Sequence, residues 1–175
     1  LLPNMSIKDK VKIVSLDVSS TCTGYSSFSI DLINRSFEHI ETGSISSSKK
    51  NIYSRFAVIH GKFLELDLYT DFDIVVFENY AFNGNRVTQL AELNGLLKYN
   101  YYLNGVPIEV IAPNTVKKIV TDNGHAKKDA VRKSIQKKEE FKNVKIKNND
   151  ESDSLAVGYA YIIKTLREIV SDGKW

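Results

Sequence analysis

The chain has 175 residues, of which 42% are hydrophobic and 10% aromatic, a composition typical of a folded globular domain and not of a disordered chain. No apolar run approaches the about 18 to 20 residues of a membrane-spanning helix, and a single cysteine, Cys22, excludes an intramolecular disulfide. We therefore expect one cytoplasmic domain over residues 5–175, with residues 1–4 a cloning scar ahead of Met5.

The net charge of +3 is unevenly distributed along the chain. Residues 117–147 contain eleven basic and four acidic side chains, a net charge of +7, so the rest of the chain has a net charge of −4. A basic segment beside an acidic core is expected where a polyanion is held near a metal ion. A solvated lysine-rich helix face would have the same composition, so the charge alone favours nucleic acid only slightly.

The N-terminal part of the chain predicts three strands. Residues 11–18 (VKIVSLDV) form an apolar, β-branched run that is typical of a buried strand. A polar turn over residues 19–21, with Gly24 after it, leads into a second strand over residues 24–31. A third strand over residues 36–45 completes an antiparallel meander.

From residue 52 onward, helical and strand patterns alternate. Apolar residues at spacings of three and four predict helices, and short continuous apolar runs predict buried strands. The helices are expected at residues 52–66, 87–101, 114–120, 127–140 and 150–170, and the strands at residues 72–78 and 108–111. This order predicts a ribonuclease H-like α/β fold, a mixed five-stranded sheet with helices on both faces and the fourth strand beside the first.

Two carboxylates interrupt predicted strands. Asp17 lies among Val, Ile and Leu, and Glu78 ends the apolar run IVVFE. A charge inside a strand core costs several kcal/mol unless it is paired, which favours a functional role. The alternatives are a turn-capping role for Asp17 beside the following serines and a solvent-exposed strand end for Glu78.

Two further acids open the last predicted helix. Asp150 and Asp153 are spaced i, i+3 and so share one helix face, whereas Glu151 points to a different face and is expected to be bystander charge. Acids at a helix N-terminus are also common without any function, because the helix dipole stabilises them. Together with Asp17 and Glu78, they form a set of oxygen ligands that selects Mg²⁺ or Mn²⁺, two ions per site.

Four segments resemble, in order and spacing, motifs of the RuvC-type Holliday junction resolvases over residues 11–165. They are residues 16–25 (LDVSSTCTGY), 76–79 (VFEN), 116–128 (VKKIV with NGHAKK) and 150–156 (DESDSLA, similar to the family's closing D-x-x-D-A-L-A). The resemblance implies that Asp17, Glu78, Asp150 and Asp153 are metal-binding catalytic acids and that Lys117 and Lys128 are catalytic basic residues in the same cleft. It also implies a homodimer, with contacts through a helix near residues 87–104, that binds a four-way DNA junction and nicks two strands symmetrically.

Two departures from the family pattern concern the first motif and the junction-stacking aromatic. The first motif usually reads D-P-G, whereas this chain has Asp17 followed by valine and serine. Three residues after Glu78 the chain has alanine, so we expect Tyr80 or Phe82 to supply the aromatic that stacks at the junction centre. The composition suits a phage-encoded or low-GC bacterial member. With the cations of the basic segment, the expected DNA-binding residues are Tyr80, Phe82, Lys118, Lys127, Arg132 and Lys133.

Three other classes of protein compete with a junction-resolving endonuclease. A related nuclease could act on RNA–DNA hybrids, and a junction-binding protein could lack catalysis, although none of the four acids is missing here. Sugar kinases and actin-like ATPases also begin with an aspartate on the first strand. They need a second domain of similar size, for which 175 residues leave no room.

Overall fold

The computed structural model describes residues 9–79 and 87–171. Its five strands are β1 (Lys10–Asp17), β2 (Cys22–Asp31), β3 (Ser36–Ser46), β4 (Ile74–Glu78) and β5 (Ile108–Ile111). Its helices are α1 (Ile52–Glu65), α2 (Val87–Leu103), α3 (Pro113–Thr121), α4 (Lys128–Gln136) and α5 (Asn149–Ser171). These elements follow the predicted order. Of the described helices, none combines the length and apolar character needed to cross a bilayer.

The five strands form one mixed sheet in the order β3-β2-β1-β4-β5. β1 pairs with β2 and β2 with β3 in antiparallel register, whereas β1 pairs with β4 and β4 with β5 in parallel register. The predicted meander and the predicted neighbours β1 and β4 are therefore confirmed.

Helices cover both faces of the sheet, as predicted. Side chains alternate along β1, so that Ile13 packs in a core with α3, α4 and α5, whereas Val14 packs in a second core with α1 and α2. Both side chains are fully buried. Because β1 and β4 are apolar on both faces, they form the centre of a three-layer α/β domain.

The predicted basic helix over residues 127–140 is shorter in the structure. α4 ends at Gln136, and a 3-10 turn, Glu139–Phe141, follows an extended Lys138. A continued helix would turn residue 141 away from the core face that Ile135 occupies, because six residues correspond to about 600° of rotation. The break instead buries Phe141, which is 2% exposed. The centroid of its ring lies 5.7 Å from that of Tyr159.

α5 packs unusually close to the sheet, and small residues make this possible. A Cβ at Gly24 would overlap the backbone carbonyl of Asp150, and a Cβ at Gly158 would lie 2.5 Å from the hydroxyl of Ser15. That hydroxyl donates a hydrogen bond of 2.8 Å to the carbonyl of Ser154. The backbone of α5 is therefore fixed directly on β1 and β2, which sets the position of its first turn.

Candidate active site

Two acids lie at the same edge of the sheet because two parallel strands end together. The last registered pair between β1 and β4 is Leu16 with Phe77, and the next residue of each strand is Asp17 or Glu78. Neighbouring strands are about 4.8 Å apart. Side-chain alternation directs both carboxylates to the sheet face that α5 covers.

The first turn of α5 brings two more acids to this edge. Asp150 and Asp153 line a cleft of about 420 Å³ together with Asp17 and Glu78. Lys117 of α3 and Lys128 of α4 line the same cleft. The six residues that sequence reasoning assigned to catalysis therefore share one cavity, although their catalytic role remains a prediction.

Burial and mutual repulsion alter the acidity of the two strand-end carboxylates. Burial, reinforced by the charges of Asp153 and Asp150, raises the pKa of Asp17 to about 6, although Lys128 opposes the rise. Burial and the neighbouring Asp17 raise the pKa of Glu78 to about 7. A nearby positive charge would therefore lower the free-energy cost of ionising either carboxyl group.

α4 supplies two cations that meet Asp153. The Lys128 ammonium lies 3.2 Å from a carboxylate oxygen of Asp153, while the Arg132 guanidinium donates to both oxygens at 2.9 and 2.8 Å. Partial burial lowers the pKa of Lys128, but Asp153, Asp17 and Glu78 outweigh it and raise that pKa overall. Arg132, predicted to bind DNA, thus has its guanidinium paired with a predicted metal ligand.

The other predicted DNA-binding residues fall into two groups. Lys118, Lys127 and Lys133 have exposed side chains, and the ammonium of Lys118 also donates to the carbonyl of Asp122 at the end of α3. All three are therefore accessible to a polyanion. Tyr80 and Phe82 lie outside the described residues.

The donor chemistry of the cleft fits a hard divalent cation. Its four carboxylates supply oxygen atoms only, the ligands that Mg²⁺ and Mn²⁺ prefer, and burial and repulsion make two of them favour a cation. Within residues 9–79 and 87–171, however, no group of three acidic, histidine or cysteine side chains is arranged so that it could hold a metal ion. The pairing of Asp153 with Arg132 engages one candidate ligand completely.

Sequence reasoning was wrong about Glu151 and missed Asn94. Glu151 is 1% exposed and accepts hydrogen bonds from Ser44 and from the backbone of Lys147, so it is not bystander charge. Its spacing from Asn148 is that of a capping box, a signal present in the sequence. Asn94, 3% exposed, lines the cleft with a side-chain oxygen that has no partner in the described part of the chain, and no sequence pattern marks it.

Comparison with known proteins places the chain in a family. The family model described as crossover junction endodeoxyribonuclease RuvC matches residues 13–161. The chain belongs to the RuvC family. RuvC of Ehrlichia chaffeensis is 31% identical over 155 residues, which cover 86% of this chain and 96% of that protein. RuvC of Carboxydothermus hydrogenoformans is 33% identical over 135 residues, 76% and 82% of the two chains.

A solved structure supports the same fold. The chain resembles that of Thermus thermophilus RuvC in complex with a Holliday junction substrate, with a TM-score of 0.74 at 17% identity over 90% of this chain and 96% of the other. The ribonuclease H-like prediction is therefore confirmed. Membership of the RuvC family implies the use of a divalent metal. The relatives named here are bacterial, and a phage origin stays a prediction.

Proposed function

We propose that this protein is a Mg²⁺-dependent endonuclease that binds four-way DNA junctions and resolves them by hydrolysing phosphodiester bonds. The observation that carries the proposal is the meeting of four carboxylates and two lysines in one cleft of a RuvC-family chain. The acids come from three separate elements, β1, β4 and α5. Because a stable core does not require such a set, a shared chemical role explains it best.

Each side chain of the cleft has a distinct task in this proposal. Asp17, Glu78, Asp150 and Asp153 would hold two Mg²⁺ or Mn²⁺ ions. Such ions, when bound, supply an activated water and stabilise the leaving 3′ oxygen. The ammonium groups of Lys128, which is exposed, and of Lys117, which lines the same cleft, would donate to the scissile phosphate as negative charge develops.

The surface around the cleft would hold the DNA. Lys118 on α3, Lys127 just before α4 and Lys133 on α4 have exposed side chains and would contact phosphates on both sides of the cut. Either Tyr80 or Phe82, which follow β4 by two and four residues in the sequence, would supply the junction-stacking aromatic. Two such clefts in a cytoplasmic homodimer would nick two strands symmetrically.

Substitution of the acids tests the proposal. Asp17→Asn and Glu78→Gln should abolish cleavage of a four-way junction in Mg²⁺ while junction affinity stays within a few-fold of that of the unaltered protein. Affinity could even rise, because the carboxylates repel phosphates. Asp31→Asn is a matched control, since Asp31 also ends a strand of the sheet but lies at the opposite edge. Full cleavage by Asp17→Asn would exclude the metal site.

The choice of substrate distinguishes this function from its nearest rivals. Junction, flap and RNA–DNA hybrid should be compared at equal protein concentration in Mg²⁺ and in Mn²⁺. We expect the junction to be cut fastest, at symmetric positions in two strands. Preferred cleavage of the hybrid would indicate a ribonuclease, and tight junction binding without cleavage in either metal would indicate a non-catalytic binding protein.

A further inference from the structure

Glu151 is a buried carboxylate between the two acids of α5. Its side chain is 1% exposed and points to β3, where one oxygen accepts a hydrogen bond of 3.0 Å from the Ser44 hydroxyl. The other oxygen accepts a bond of 2.7 Å from the backbone N–H of Lys147. A buried charge of this kind costs several kcal/mol unless its oxygens are paired, and here both are.

A second pair of hydrogen bonds closes the same network. The backbone N–H of Glu151 donates to the side-chain oxygen of Asn148 at 3.0 Å, and the amide of Asn148 donates to the Ser44 hydroxyl at 2.7 Å. Asn148 thus caps the start of α5, while Glu151 reaches back to Lys147, one residue before the cap, in a variant of the capping box to which β3 adds a hydroxyl. The first turn of the helix is therefore attached both to the preceding segment and to the sheet.

The attachment point adjoins the place where α5 lies closest to the sheet. Ser44 pairs with Gly24 in the register of β2 and β3, and the carbonyl of Asp150 lies directly over Gly24. Contacts on two adjacent strands fix both the distance of the first turn from the sheet and its rotation about the helix axis. The directions of the Asp150 and Asp153 side chains follow, because they belong to the same rigid helix.

We propose that Glu151 is a positioning residue that sets Asp150 and Asp153 for metal binding through Ser44 and Lys147. The inference rests on the proposed metal-dependent function. The carboxylate accepts hydrogen bonds from both partners. Glutamine could still accept from the backbone N–H of Lys147, but its amide N–H would then point at the Ser44 hydroxyl and reverse that bond, and Asn148 already donates to the same hydroxyl. Groups that orient metal ligands typically change metal affinity or activity by about 10- to 100-fold when they are replaced.

The test measures metal binding separately from catalysis. Glu151→Gln should weaken Mn²⁺ binding, measured by calorimetry without DNA, by about tenfold or more. The Mg²⁺ concentration for half-maximal cleavage should rise by a similar factor, while the rate at saturating Mg²⁺ stays within about threefold. Junction affinity without metal should not change. Glu168→Gln, in the same helix but exposed, is the matched control and should match the unaltered protein in all of these measurements.

Ser44→Ala provides a second, milder variant that removes one of the two donors. It should shift metal affinity in the same direction by a smaller factor. Unchanged metal affinity in folded Glu151→Gln overturns the proposal even if its melting temperature falls. If Glu151→Gln does not fold, unchanged metal affinity in Ser44→Ala overturns it. If the unaltered protein neither binds metal nor cuts a junction, the proposed function fails first.

Discussion

At the scale of single residues, the cleft contains opposite charges in contact, and α4 supplies the two cations that pair with Asp153. Asp153 is 12% exposed and lies between Lys128 and Arg132, whereas Asp17 and Glu78 have raised pKa values. The two cations differ in geometry, because the guanidinium of Arg132 engages both oxygens of Asp153 and the ammonium of Lys128 only one. A bidentate pair is the stronger of the two, so Arg132 competes most directly with a metal ion for Asp153.

Arg132→Gln should therefore increase metal affinity. Removal of the guanidinium frees both oxygens of Asp153, and we expect Mn²⁺ to bind up to roughly tenfold more tightly, equivalent to about 1.4 kcal/mol. Calorimetry on the DNA-free protein measures this directly. Lys133→Gln, one position along α4 with an exposed side chain, is the control for the lost charge. Weaker metal binding in Arg132→Gln would show that the arginine holds Asp153 in place for the ion.

The raised pKa values of Asp17 and Glu78 predict how the stability of the metal-free protein depends on pH. These carboxyl groups keep their protons to about pH 6 and 7 in the folded state but lose them near 3.8 and 4.5 when unfolded. The free energy of unfolding should therefore fall as pH rises from about 4 to 7, by on the order of 2 kcal/mol for each group. Urea unfolding in EDTA should show this fall, and Asp17→Asn with Glu78→Gln should flatten it. An equally steep fall in the double variant would contradict the assignment.

At the scale of secondary-structure elements, α5 is the part of the fold on which the site depends. It carries two of the four acids, and its backbone contacts β1 and β2 through glycine and serine. Larger side chains at these contacts would lift the helix from the sheet and move Asp150 and Asp153 relative to Asp17 and Glu78. The close packing of this helix is therefore a requirement of the site as well as of the core.

A pair of helical glycines tests this requirement. Gly158→Ala would place a methyl group against Phe28 and the Ser15 hydroxyl, and we expect overpacking to lower the free energy of unfolding by about 1 to 3 kcal/mol. Gly95→Ala, in α2, meets no atom within 4 Å and should be neutral or stabilising by up to about 1 kcal/mol. Urea unfolding of both variants measures the difference. Equal stability in the two would mean that α5 has room to adjust.

At the scale of the whole molecule, charge is segregated between a basic surface and an acidic cleft. The basic segment over residues 117–147 includes the C-terminal half of α3 and all of α4, and Lys117 and Lys128 of these helices line the cleft. The exposed lysines surround acids that would repel DNA without a metal ion. Such segregation favours association that is driven by phosphate contacts and is strongly dependent on salt.

Junction affinity should accordingly fall steeply with salt concentration. Each neutralised phosphate contributes about −0.9 to the slope of log K against log salt, so replacing Lys118, Lys127 and Lys133 by Gln should reduce the slope by about 2 to 3. Fluorescence anisotropy with a labelled junction measures it over about 50 to 200 mM salt. Lys62→Gln, on α1 at the other face of the sheet, should leave the slope unchanged. A flat dependence in the unaltered protein would indicate that the basic segment is only solvated.

The sequence alone determined the order of the strands and helices along the chain and the set of four carboxylates. Both follow from local patterns in the sequence. Alternating or continuous apolar runs predict strands, and Asp17 and Glu78 are conspicuous because each interrupts such a run. The parallel register of β1 and β4 then brings these two acids to one edge of the sheet. The extent of the domain over residues 5–175, the roles of the six site residues and the dimer remain predictions.

Only the tertiary structure decided three other features, because each depends on residues far apart in the chain. The spacing of Glu151 from Asn148 indicates a helix cap, but its burial against Ser44, 107 residues before it, depends on the tertiary structure. The guanidinium of Arg132 donates to Asp153, 21 residues after it, although the surrounding sequence suggests a solvated basic face. α4 ends at Gln136 because Phe141 is buried against the ring of Tyr159. Burial and charge pairing between distant segments leave no local pattern, so periodicity and spacing cannot reveal them.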